Sequence, residues 1–157
     1  MEAVILVGIQ GAGKTTFCKE RFFESHIRIN LDMLRTRYRE KLLFEACLEA
    51  KQKFVLDNTN LTREEREKYI VRAKEFGFKI VGYYFQTKIE KAIERNNQRQ
   101  GKAKIPEKGL RGAFKRLQIP SFEEGFDEIF YVWINDENQF AVEEFFAGLS
   151  ESKINVK

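Results

Sequence analysis

Five short runs of apolar, largely β-branched or aromatic residues punctuate the chain: Ala3–Val7, Ile27–Ile29, Phe54–Leu56, Lys79–Phe85 and Glu128–Ile134. Runs this short, bounded by polar residues, predict strands. Between and after them the apolar positions recur at helical spacing, which predicts helices over Lys14–Phe23, Asp32–Lys51, Arg63–Phe76, Ile89–Gln100, Glu107–Leu117 and Glu137–Leu149. Strands alternating with helices describe an α/β fold, a parallel sheet of about five strands with helices on both faces. Asp32 and Thr62 are expected N-caps, because their short side-chain oxygens accept from free first-turn amides. Gly101–Pro106 is the least structured internal stretch. Residues 1–150 read as a single domain and Glu151–Lys157 as a fraying tail. With 157 residues, 43% hydrophobic and 15 Phe, the chain supports one sizeable core and is too short for two typical domains.

Charge sharpens this picture. Net charge is only +4, yet Lys88–Arg116 holds ten Lys/Arg against three Glu, while Leu117–Ser152 holds nine acidic residues and no basic one. Such a segment is either a solvated helix face or the contact for an anionic partner. Cys18 and Cys47 stand in unrelated contexts and His26 is the single histidine, which leaves no disulfide framework and no His/Cys zinc site. No apolar stretch approaches the roughly 20 residues that cross a bilayer, and the first strand begins beside Met1, so a cytoplasmic protein is expected.

Gly8-Ile9-Gln10-Gly11-Ala12-Gly13-Lys14-Thr15 satisfies G-x-x-x-x-G-K-[ST], with a strand before it and a helix after. Glycines let the backbone curl so that successive amides, those of Gly11, Ala12 and Gly13 among them, point at phosphate oxygens, and the helix adds its positive N-terminal end. Lys14 is expected on the β- and γ-phosphates of ATP, the Thr15 hydroxyl on Mg²⁺, and Thr16 on a further phosphate oxygen.

A phosphotransferase must also activate its acceptor. Asp32 follows the second strand and Arg35 lies one helical turn on, so both belong to the crevice at the carboxyl ends of the strands. Read structurally, Asp32 is an N-cap and Arg35 its surface partner; read chemically, Asp32 is a general base. The third strand ends in Asp57-Asn58-Thr59-Asn60, where Asp57 has the position of a metal-holding carboxylate and the others are ordinary turn formers. Arg63 and Arg66 begin the next helix and are either solvated or turned to the same opening. Arg95 and Arg99 share a helix face, with Lys102 and Lys104 following; a mobile helical lid in kinases of this architecture supplies such arginines to the transferring phosphoryl group.

Taken in order, Gly8–Thr16, Asn30-x-Asp32-x-x-Arg35, Asp57–Asn60 with Arg66, Arg95-Asn96 with Arg99, Ile105-Pro106 and Pro120–Phe126 resemble the 5′-hydroxyl polynucleotide kinase domain of phage, bacterial and animal end-healing enzymes. The resemblance runs from about Val4 to Val132. It implies a P-loop kinase fold with Lys14 and Thr15 on ATP–Mg²⁺, Asp32 as base toward the 5′-hydroxyl, Arg35 on the acceptor's neighbouring phosphate, and Arg99 with Arg95 in the lid. No phosphatase, ligase or fork-head-associated module accompanies these motifs, so partner activities are expected elsewhere.

Three functions follow. The first is transfer of the ATP γ-phosphate to 5′-hydroxyl ends of DNA or RNA, which suits the basic Lys88–Arg116 segment. The second is a kinase of similar fold acting on a small-metabolite hydroxyl. The third, a nucleotide-sensing module without turnover, is disfavoured by the joint presence of Lys14, Asp32 and Arg99.

Overall fold

The computed structural model describes residues 1–101 and 104–146. Six strands, β1 (Glu2–Val7), β2 (Ile27–Ile29), β3 (Phe54–Leu56), β4 (Lys79–Phe85), β5 (Glu128–Ile134) and β6 (Phe140–Phe145), form one sheet in the order β2-β3-β1-β4-β5-β6. The first five are parallel and β6 is antiparallel to β5. Helices are α1 (Lys14–Phe22), α2 (Leu31–Leu34), α3 (Arg37–Glu49), α4 (Arg63–Glu75), α5 (Ile89–Asn97) and α6 (Glu107–Arg116). Among the described residues no helix is long and apolar enough to cross a membrane.

Alternation along β1 divides the core. Ala3, Ile5 and Val7 meet Phe44, Leu48, Tyr69 and Ile70 of α3 and α4 on one face. Val4 and Leu6 meet Phe17 of α1, Ala92 of α5 and Leu110 of α6 on the other. Phe17 packs edge-on against Phe22, Phe85 and Phe140, a ring cluster that fixes the phosphate-loop helix to the sheet. Burying one such ring contributes ~1.5–3 kcal/mol. From β1 the chain turns to one side for β2 and β3 and to the other for β4, so the loop after β1 opens at the switch point of the sheet.

Several expectations are corrected. The helix expected over Glu137–Leu149 is strand β6 over its described part; residues beyond 146, and with them the expected tail, lie outside the described residues. The polar run Asn135-Asp136-Glu137-Asn138 makes a hairpin turn in which Asn135 Oδ1 accepts from the amides of Glu137 and Gln139, and Asn138 takes φ 60°. Phe140 and Val142 then fall on the face shared with α1, and Phe145 on the opposite one, the period-two pattern of a strand. The sheet therefore has six strands where about five were expected.

The helix expected from Asp32 to Lys51 is interrupted. Arg35 takes φ 75°, ending α2, and Thr36 caps α3 by accepting from Arg39 N at 3.2 Å. Asp32 is not the N-cap either: Asn30 is, accepting from Met33 N at 2.9 Å. Thr62 does cap α4, in a reciprocal box with Glu65.

Arg66 is neither solvated nor at the opening. It is 0% exposed, forks onto Glu124 at 2.7 and 3.0 Å, and donates to the carbonyls of Asn60 and Leu61 at 2.9 and 3.0 Å. It thus clamps the loop after β3 to the Pro120–Phe126 segment. Removing one member of a buried pair strands the other, so Arg66→Ala is expected to destabilise the fold by about 3–5 kcal/mol in denaturant unfolding. A loss below about 1 kcal/mol contradicts the clamp.

Candidate active site

The loop between β1 and α1 owes its shape to two glycines in the left-handed region, Gly11 at φ 80° and Gly13 at φ 95°. A Cβ on Gly11 would stand 2.9 Å from the Ala92 carbonyl, so α5 also requires a glycine there. Gly8 N donates to Thr59 O at 3.0 Å, tying the loop to the end of β3. Lys14 curls back, its Nζ donating to the carbonyls of Gly8 and Ile9 at 2.8 Å each. Burial pushes its pKa down to about 8; Asp57 opposes that shift and Arg99 adds to it.

Each member of Asp57-Asn58-Thr59-Asn60 has a separate task. Asp57, 2% exposed, accepts on Oδ2 from Thr15 Oγ1 at 3.1 Å and from Arg28 Nε at 2.8 Å. Asn58 Oδ1 accepts from Leu31 N at 2.9 Å, and its amide donates to Glu40 Oε2 at 3.0 Å, which ties α2 to α3. Thr59 holds Gly8, as above. Asn60, at φ 47°, donates to Leu6 O at 2.8 Å and so fastens the run to β1. Asn30 closes the set, its amide donating to Asp57 O while its oxygen caps α2.

These elements enclose an open cleft of about 1100 Å³ lined by Gly11, Gly13, Lys14, Thr15, Thr16, Asp32, Arg35, Asp57 and Arg99, together with Gln10, Arg37, Asn58 and Ile105. The expected phosphate, metal and acceptor residues therefore share one space. Ala12 is buried beneath the loop. Arg95 lies elsewhere: it donates to Gly11 O at 3.0 Å and lines a second cavity of about 740 Å³ with Gly13, Thr16, Arg21, Asn138, Gln139 and Phe140. Burial lowers the Arg95 pKa. The lid segment is pinned where Asn96 brackets Ile105, its oxygen accepting from Ile105 N at 2.8 Å and its amide donating to Ile105 O. Lys102 lies outside the described residues.

Magnesium ions take hard oxygen ligands, keep several waters and use substrate phosphates. The Thr15 hydroxyl beside the buried Asp57 carboxylate is such a donor pair. Among the described residues no three His, Cys, Asp or Glu side chains converge, so a metal ion held at this pair would need its remaining ligands from elsewhere. The thiols of Cys18 and Cys47 are buried and pushed up to about 11, which leaves them inert.

Sequence reasoning missed Arg28, Arg37, Asn58 and the hairpin residues of the second cavity. Arg28 had a signal, a charged residue in the middle of Ile-Arg-Ile on a strand leading into the crevice. Arg37 had none, because in an unbroken helix it points away from Arg35.

Comparison with known proteins agrees with the phosphate loop and the sheet. The AAA domain family matches residues 4–120. A bifunctional polynucleotide phosphatase/kinase of Schizosaccharomyces pombe is 33% identical over 139 residues, 82% of this chain and 32% of that protein, so the chain spans about a third of that curated relative. Among solved structures, Chaetomium thermophilum Kti12 in complex with ADP-AlF3 superposes with a TM-score of 0.64 at 16% identity, over 87% of this chain and 92% of that one. A gluconokinase from Sinorhizobium meliloti 1021 gives 0.58 at 17%, over 86% and 83%. At such identities these two likenesses speak to the fold alone. By its phosphate loop, its sheet order and the family match, the chain belongs to the AAA domain family, as a P-loop kinase-like domain similar to that of polynucleotide kinases.

Proposed function

We propose that this chain transfers the γ-phosphate of ATP to the 5′-hydroxyl end of a DNA or RNA strand. The observation that carries the reading is the meeting of Asp32 and Arg35 with Lys14, Thr15, Thr16 and Arg99 around one cleft. The 33% identity to a polynucleotide phosphatase/kinase supports the choice of acceptor. Bound with the nucleotide, Mg²⁺ would supply charge neutralisation between the β- and γ-phosphates, held on the protein side by Thr15 and Asp57.

The protein's own part is positioning and proton handling. Capping of α2 falls to Asn30, so the Asp32 carboxylate is not spent on it and serves as the base toward the acceptor hydroxyl. As the acceptor oxygen bonds to the γ-phosphorus, the bond to the β–γ bridging oxygen breaks. ADP leaves with that electron pair, and the hydroxyl proton passes to Asp32. Lys14 and Arg99 face the charge that grows on the transferring group, and Arg35 holds the phosphate next to the acceptor sugar. Thr16 adds a phosphate contact. Arg95, through Gly11 O, supports the loop beside the second cavity, which suits the donor's base and ribose.

The deciding experiment is incubation with labelled ATP and matched 5′-hydroxyl DNA, 5′-hydroxyl RNA and a panel of metabolite alcohols. Label on the polynucleotides is expected. Label on a metabolite alone replaces this reading with the metabolite kinase.

Asp32→Asn keeps size and removes basicity. The variant is expected to fold, to bind nucleotide nearly normally and to lose about 10²–10⁴ in the single-turnover rate. If transfer survives while Asp57→Asn abolishes it without weakening metal binding, the two carboxylates exchange roles.

Lys14 yields a pH prediction. Its folded pKa of about 8 lies below the ordinary 10.5, so between those values the unfolded chain binds more protons. Stability of the nucleotide-free protein therefore gains from this group as pH rises through that window, and the cost of burying the ammonium is fully present below it. Phosphates restore the charged form, so nucleotide binding at pH 9 is expected to take up a proton, with affinity falling up to about tenfold per pH unit above 8. Calorimetry in buffers of different ionisation enthalpy checks this; no proton uptake at pH 9 contradicts it.

A further inference from the structure

The break between α2 and α3 is a backbone device with a side-chain consequence. At φ 75° Arg35 occupies a region that glycine adopts readily and that L-residues enter only at a cost. An arginine there forgoes the easier backbone in exchange for its guanidinium. In one continuous helix Arg35 and Arg37 would point to different sides, because residues two apart do not share a face. With the helix broken at Arg35 and restarted at Arg37, both side chains line the cleft beside Asp32.

Arg37 is also held from behind. Its Nη1 donates to Glu40 at 3.1 and 3.4 Å, while the rest of the side chain stays open, 63% exposed. Glu40 is 3% exposed and receives two other donors, the Tyr69 hydroxyl and Asn58 Nδ2. A carboxylate buried under three donors has little freedom, so Arg37 is anchored at one nitrogen and presents the remainder of its five-donor fork to the cleft. Ordering a long arginine on a ligand costs side-chain entropy, and part of that cost is already met in the unliganded protein.

The geometry points to Arg37 as a second phosphate-binding residue, specific for the phosphate one nucleotide beyond that held by Arg35. The inference rests on the polynucleotide reading and deepens it. Two guanidiniums two residues apart along the chain, on Cα atoms no more than about 7 Å apart, suit successive phosphodiesters of a strand. An acceptor with a single phosphate leaves the second guanidinium idle.

The test compares kcat/KM for three 5′-hydroxyl acceptors: a nucleoside 3′-monophosphate, a dinucleotide bearing a 3′-phosphate, and the corresponding trinucleotide. For the wild-type chain kcat/KM is expected to rise about tenfold or more from one phosphate to two, mainly through KM, and much less from two to three. In Arg37→Ala the two-phosphate to one-phosphate ratio should fall toward one, and Arg37→Lys should retain part of it. A ratio taken within one variant does not depend on how much of that variant is folded. The log-log salt dependence of single-strand binding should become shallower in Arg37→Ala by about 0.7. An unchanged ratio in Arg37→Ala, or equal wild-type efficiency on all three acceptors, overturns the inference while leaving the functional reading in place. Failure of the wild-type chain to phosphorylate any of the three overturns both.

Discussion

A carboxylate sealed from solvent has to be matched by donors, and at Asp57 the side-chain donors come from two separate parts of the chain. Thr15 reaches it from the start of α1 and Arg28 from β2, while the Lys14 ammonium feels its field from the phosphate loop. Its own backbone is held as well, the amide donating to Ile29 O at 2.9 Å and the carbonyl accepting from Asn30. Asp57 therefore works as a joint between β1, β2 and β3. Removing the negative charge would leave two or three cations crowded together without it. A single buried charge thus links the start of α1 to β2 and to the loop that precedes α2.

A second buried charge stabilises the same loop from below. Arg66 holds the carbonyls of Asn60 and Leu61 and closes on Glu124, which itself accepts from Ser121 N at 2.9 Å. Gly125, at φ 111°, follows directly, and a Cβ there would meet Ile70 Cγ2 at 2.9 Å, so the Pro120–Phe126 turn packs tightly on α4. The loop after β3 is consequently fixed at both ends, by Asn60 to the central strand and by Arg66 to a distant turn. Side chains at an opening hold a defined geometry only when the backbone beneath them is fixed in this way.

The sheet was legible because its signal is local: five apolar runs, each ending where β1 to β5 end, and a phosphate motif placed between strand and helix. β6 was hidden by composition. Its alternation is short, and the acidic pair Glu143-Glu144 mimics a helix face; the hairpin was encoded instead by Asn135 and Asn138, whose turn chemistry outweighs the periodicity that follows. The break at Arg35 was illegible for a similar reason. No glycine or proline marks it; a long-range contact, Asn58 on Leu31 N, and a local one across the break, Arg39 donating to Leu34 O, accompany it. Of the residues that line the cleft, those with recognisable spacing were named from the sequence, whereas Arg37 and the ties made by Arg28 and Asn58 were not. Arg95 and Arg99 show the limit of spacing itself: four apart on or beside one helix, they serve different cavities, because α5 ends at Asn97 and Arg99 follows in the lid.

The charge distribution of the cleft bears on the order in which its ligands assemble. Lys14, Arg35, Arg37 and Arg99 line it against the carboxylates of Asp32 and Asp57, the latter also paired with Arg28. A divalent cation meeting this surface alone finds one hydroxyl and one carboxylate, the latter already shared between Thr15 and Arg28. A polyphosphate meeting it finds four cations and a loop of amides at the head of α1. On electrostatic grounds a polyphosphate would be favoured first, and its oxygens would then be those that a magnesium shell still needs. The row of cations continues to Arg35 and Arg37, but there it stands beside the carboxylates of Asp32 and Glu40, the latter paired with Arg37 at 3.1 Å, so the cleft is positive at the phosphate loop and closer to balance at its other end.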